Sequence, residues 1–157
     1  MTTEPLVPLH GGWETLARGW ARRRGARATT EQGGLNVDIL TGRPTRKHTV
    51  GLTPTGRTLV LIITDGTLVT RERLAATAAA ATAWNAREVN PTAVLGYDRT
   101  ELLLLSAVST LPLAAHMAPT DFAATLNDLL ERATRLLSEC GDLGRILPGG
   151  ADQDPRR

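Results

Sequence analysis

Apolar residues first recur at Trp13, Leu16, Ala17 and Trp20, a spacing that marks one face of a helix predicted over Trp13–Arg24. Gly25 suits its C-terminal cap. The preceding residues hold Pro5, Pro8 and Gly11-Gly12 and read as an extended arm. From Gly34 to Thr70 the period falls to two. Leu35, Val37 and Ile39 alternate with Asn36 and Asp38, which predicts a strand, and His48–Thr53 predicts another beyond the turn Gly42-Arg43-Pro44-Thr45. The run Thr58–Thr64 is apolar at consecutive positions, as in a central strand buried on both faces. Asp65-Gly66 then signals a two-residue hairpin into a short strand Thr67–Thr70, since both residues of such a turn take positive φ. The competing reading has Thr67–Thr70 lead straight into the next helix.

That helix is predicted over Arg71–Glu88, with Thr70 as N-cap and Pro91 barring continuation. It is dominated by alanine, the best intrinsic helix former, and Leu74, Ala78, Ala81 and Trp84 or Asn85 trace its line of contact. Thr92–Tyr97 and Glu101–Ser109 predict a hairpin around Asp98-Arg99-Thr100. The last helix opens at Thr120 with Asp121 in its first turn, where negative charge is favourable. Phe122, Leu126, Leu129, Leu130, Ala133, Leu136, Leu137 and Cys140 form its apolar stripe, and Gly141–Gly144 is read as its end. The order α, three or four strands, α, two strands, α (α-β-β-β-α-β-β-α where Thr67–Thr70 leads into the helix), with short hairpin links, predicts an α+β fold: a mainly antiparallel sheet with helices packed on it. One domain over 13–147 is expected, between an arm at 1–12 and a disordered tail at 148–157.

Composition narrows the class. At 157 residues and 16.8 kDa the chain is the size of one domain with a sizeable core. The longest aliphatic run, Leu59–Ile63, is far short of the ~18 residues of a membrane span, and the start carries no secretion-signal pattern. Cys140 is the single cysteine, so no internal disulfide forms, and a reducing, cytoplasmic setting is expected. Aromatic residues make up 3% of the chain, which disfavours a base-stacking nucleic-acid binder. The net charge of +2 conceals a polarity. Residues 1–57 hold nine basic and four acidic side chains, while residues 58–157 hold nine and twelve.

The search for chemistry returns no catalytic, cofactor-binding or metal-binding residue. His10, His48 and His116 lie far apart, and no paired His or Cys has metal-ligand spacing. There is no GxSxG elbow, Ser106 and Ser109 fall on a buried strand, and Cys140 falls on the apolar stripe. The glycine pairs Gly33-Gly34 and Gly149-Gly150 lack the spacing of a phosphate loop. The chain is therefore not expected to be an enzyme. Two features stand out instead. One is the basic cluster Arg18, Arg22, Arg23, Arg24 and Arg27, which is either a solvated helix end or a patch for an acidic partner. The other is a surplus of apolar faces, which either the helices or a second chain must cover.

Trp84-Asn85, Pro91 before a strand, the strand Leu102–Ser109 and Pro119-Thr-Asp-Phe opening a long amphipathic helix together resemble the YbjN-type domain. That domain shares the fold of type III secretion chaperones. Two positions depart from its usual pattern, at Ala81-Thr82-Ala83 and His116-Met117-Ala118. The resemblance implies a non-catalytic, chaperone-like or adaptor domain, homodimeric, that holds a protein or peptide client. Chaperones of this fold are typically acidic, whereas this chain is slightly basic.

On that reading Trp13, Leu16 and Trp20 are candidates for a client-facing patch, with Arg22, Arg23 and Arg24 steering an acidic client segment. Ala78, Ala81 and Trp84 are candidates for the dimer contact. For both sets the alternative is packing within the chain's own core. A second expectation is a substrate-presenting subunit of a modifying enzyme in natural-product or peptide biosynthesis. A third, weaker one is a nucleic-acid-associated regulator using the basic first helix.

Overall fold

Alternation becomes visible as sidedness in the computed structural model, which describes residues 3–146 apart from 43, 44 and 99, with backbone alone for 142–146. The chain runs β1 (Val7–Pro8), α1 (Leu9–Arg23), β2 (Arg27–Glu31), β3 (Gly34–Thr41), β4 (Arg46–Thr55) and β5 (Thr58–Thr64). After a single 3₁₀ turn (Arg71–Arg73) come α2 (Leu74–Arg87), β6 (Thr92–Tyr97), β7 (Leu103–Pro112), β8 (His116–Met117) and α3 (Pro119–Ile146). Six strands form one antiparallel sheet in the order β2-β3-β4-β5-β7-β6. The fold is α+β, as expected.

The ladder register places Val37, Val50, Ile63, Ala107 and Ala93 in one row across five strands, and all five are buried. Leu35, Leu52 and Leu61 make a parallel row that is also buried. Against these rows lies the stripe of α3 from Phe122 to Cys140, with α1 and α2 packed on either side of that helix. Each fully buried Leu or Phe of this layer contributes roughly 1.5–3 kcal/mol relative to exposure. Val7 and Pro8 pair with Met117 and His116, while the Leu9 and His10 amides donate to Ala115 and Leu113. His10 and Gly11 depart from helical geometry, with Gly11 at φ 85°, so regular α1 begins at about the predicted place.

Four expectations are revised. A strand not foreseen, β2, forms because Gln32 and Gly33 both take positive φ (42° and 81°) and close a two-residue hairpin onto β3. At Asp65-Gly66 the expected hairpin is absent. Only Gly66 has positive φ, and Asp65 uses its carboxylate to accept the Thr67 amide at 2.9 Å. The chain then continues along β7, bridging Leu68 to Leu104. Thr70 makes no side-chain cap, and the buried line of α2 runs through Ala76, Thr77, Ala80, Ala81 and Trp84, leaving Leu74 exposed. Finally, α3 passes through the expected stop at Gly141 and reaches Ile146, Gly141 not having the positive φ of a C-terminal cap. The tail expected from Pro148 lies outside the described residues.

Candidate functional site

Since strand side chains alternate between faces, burying one set beneath the helices sends the other set to a face that, among the described residues, no helix covers. On that face Asn36, Gly51, Ile62, Val108 and Thr92 form a row across five strands, with Thr49 and Thr64 beside it. Ile62 is 43% exposed and Val94 is 39% exposed. Farther along β7 the bridged pair Leu68 and Leu104 continues the apolar surface, with Leu102 beyond it, also exposed.

The face is a trough, and sheet twist makes it one. Neighbouring strands rotate by roughly 20–25° each, so across six strands two opposite corners lift toward the same side. The turn between β2 and β3, at Glu31 and Gln32, forms one wall. The tip of the β6–β7 hairpin, at Tyr97, Asp98 and Thr100, forms the other. Between them the floor is Asn36, Thr49, Gly51, Ile62 and Thr64. Gly51 keeps that floor low, since a Cβ there would lie 3.2 Å from the Asn36 side-chain oxygen.

The trough's polar groups are held by local bonds. Thr49 donates to Asp38 at 2.8 Å, and Asn36 donates to Glu31. Asp98 accepts from the Thr100 hydroxyl at 2.7 Å, the Thr100 amide at 2.8 Å and the Leu102 amide at 3.0 Å. The Thr100 hydroxyl, followed by the Leu102 amide, holds the Asp98 carboxyl below the usual carboxylate range. What the face presents is β-branched apolar surface between threonine and asparagine side chains, a surface suited to contact.

The two sheet edges differ. At β6 the Asn85 side chain, projecting from α2, donates to the Ala93 carbonyl at 2.9 Å and accepts the Ala93 amide at 2.7 Å. One side-chain amide thus imitates a neighbouring strand. Trp84 beside it donates to the Pro91 carbonyl at 2.9 Å, and the Asn90–Pro91 bond is cis. At β2 no such cover exists among the described residues.

The residues singled out from sequence separate into two groups. Trp13, Leu16 and Trp20 are buried, with Trp20 donating to Asn127 at 2.8 Å, so their surface is taken by α1 docking on the core. Arg22, Arg23 and Arg24 are exposed at the end of the helix. Arg24 lies 5.9 Å above the Trp20 ring and also donates to Asn127, at 2.9 Å. Arg18 pairs with Glu14 and reaches the Thr30 hydroxyl at 2.6 Å. Ala81 and Trp84 are buried within their own chain, and Ala78 is half-buried. Arg87 and Arg135 stack over the Trp84 ring at 5.4 and 5.7 Å.

A small, partly open pocket among Arg46, Asp65, Arg73, Thr77 and Leu105 has about 30 Å³, room for a water or two. Among the described residues no group of three or more His, Cys, Asp or Glu side chains is placed to hold a metal ion. His48 is buried, with Nδ1 3.3 Å from the Arg46 carbonyl. Burial, reinforced by the Glu139 charge, pushes the Cys140 thiol up to about 11. Sequence reasoning missed the trough and β2. The signal for β2 was present, since Thr29-Thr30 precede Gln32-Gly33-Gly34.

No family model matches the chain, and no curated protein matches it. Among solved structures it is similar to YbjN from E. coli, a candidate transcription regulator known from its crystal structure. The TM-score is 0.65 and the identity 18%, with 83% of this chain and 92% of that chain covered. The chain therefore has a YbjN-like fold. Among the described residues no helix is long and apolar enough to cross a membrane.

Proposed function

From a YbjN-like fold and an uncovered sheet face, we propose that the chain is a non-catalytic, chaperone-like or adaptor module that holds a protein or peptide client in the trough. The observation that carries this reading is the row through exposed Ile62, set between two lifted hairpin corners, with Val94 exposed on the same sheet face. An extended client segment laid along that row would exchange exposed β-branched surface for contact, at roughly 25 cal/mol per Å² of apolar area removed from water. The threonine and asparagine neighbours would accept or donate hydrogen bonds at its polar positions. Exposed Arg22 and Arg23 lie on α1, where they would steer an acidic stretch of the client by long-range attraction. The similarity to a candidate transcription regulator is compatible with a regulator that acts by holding another protein.

Panning a displayed peptide library on the folded chain tests the proposal. Extended peptides rich in β-branched and apolar residues are expected to be enriched, and to lose binding on Ile62→Asp. Because Ile62 is 43% exposed, that variant is expected to keep its melting temperature within a few degrees. Enriched peptides that bind Ile62→Asp undiminished would overturn the trough as the site.

A further inference from the structure

We propose that β2 pairs with β2 of a second copy of this chain, edge to edge and antiparallel, about a twofold axis at Thr29. The proposal is independent of the client reading.

The argument begins with which main-chain groups are available. Glu31 and Gly34 flank a two-residue turn, so they form a hydrogen-bonded pair of the β2–β3 ladder. Alternation then directs the bonds of Arg27, Thr29 and Glu31 toward β3 and turns the amides and carbonyls of Ala28 and Thr30 outward. At the opposite edge of the sheet Asn85 engages the outward amide and carbonyl of Ala93.

The sequence of the strand, Arg-Ala-Thr-Thr-Glu, says which partner fits. In an antiparallel pairing centred on Thr29, Arg27 falls opposite Glu31 of the second copy, and Glu31 falls opposite that copy's Arg27. Ala28 falls opposite Thr30, and these are the two residues whose main-chain groups point outward. Four interstrand hydrogen bonds and two opposite-charge pairs therefore arise from a single register. A shift by one residue would lose both charge pairs and misalign the outward groups. On the helix side of the seam β2 itself presents only the small Ala28 and Thr30, with Arg18 of α1 reaching over to the Thr30 hydroxyl at 2.6 Å. A twofold axis perpendicular to the sheet keeps both helical layers on one side and sets the two troughs next to each other on the other.

The test is sedimentation velocity over a concentration series at low salt, on the wild-type chain, Arg27→Glu, Glu31→Arg and the double variant, with circular dichroism confirming that each folds. The wild-type chain is expected to dimerise with rising concentration. Each single reversal is expected to weaken the dimer about tenfold, since two like-charge contacts replace two opposite-charge ones, and the double variant to regain it. As a second measurement, Thr29→Cys is expected to form a disulfide-linked dimer under mild oxidation faster than Thr110→Cys on β7, because Thr29 lies on the axis. A chain that stays monomeric at several hundred micromolar, or a dimer indifferent to both single reversals, or equal cross-linking at the two cysteines, would overturn the proposal.

Discussion

Cys140 shows how one side chain's surroundings decide its chemistry. It is 1% exposed on the inward face of α3, and burial with the neighbouring Glu139 charge raises its pKa from 9.0 to about 11. At pH 8 it therefore carries less thiolate than a free cysteine, and no reagent reaches it without opening of the helix layer. Labelling by a thiol reagent is expected to track global unfolding, becoming rapid only in denaturant; fast labelling of the native chain would contradict this burial. The sign for stability follows. A raised thiol pKa contributes stability in full below pH 9, and that contribution is lost as pH rises toward 11. Asp98 has the opposite sense. Its folded pKa lies below the ordinary 3.8, so the turn it organises is supported above that value and released as pH falls through the folded one. In Asp98→Ala the Thr100 and Leu102 amides are expected to exchange with solvent faster at neutral pH. Unchanged exchange would show that the carboxylate does not hold the turn.

At the scale of elements, what could be read in advance depended on how many of an element's residues are buried. The α3 stripe was legible because eight residues at helical spacing all meet the core. Strands β3 and β4 were legible because each alternates cleanly against it. Strand β2 was obscure for the opposite reason, since Ala28 alone is half-buried and the other four residues are exposed. Asp65-Gly66 has the composition of a hairpin turn, but a side-chain bond to Thr67 settles the Asp65 backbone at negative φ, which composition does not reveal. The trough could not be read at all. Its floor looks in sequence like an ordinary solvent face, and its walls meet only through the accumulated twist of six strands. Trp13 and Trp20, candidates for a client patch, and Trp84, a candidate for a dimer contact, offer surfaces that are used within the chain: Trp13 and Trp20 under α1, and Trp84 against α3 and β6.

Among the described residues three helices lie on one face of the sheet, the opposite face is open and the two edges differ in character. The inequality governs how far association can proceed. A subunit with two live edges is a bifunctional monomer and can polymerise without limit, as strand-edge fibres do. The Asn85 amide occupies the outward main-chain groups of β6 at Ala93, so pairing through β6 is hindered there while the proposed pairing through β2 is not. Asn85→Ala is expected to cost about 1–3 kcal/mol by orphaning the Ala93 main chain, and also to restore the second functionality. Light scattering of the concentrated variant should then show species growing beyond the dimer, whereas the wild-type chain should plateau. One asparagine serves here as a partial stopper on the strand edge, at Ala93.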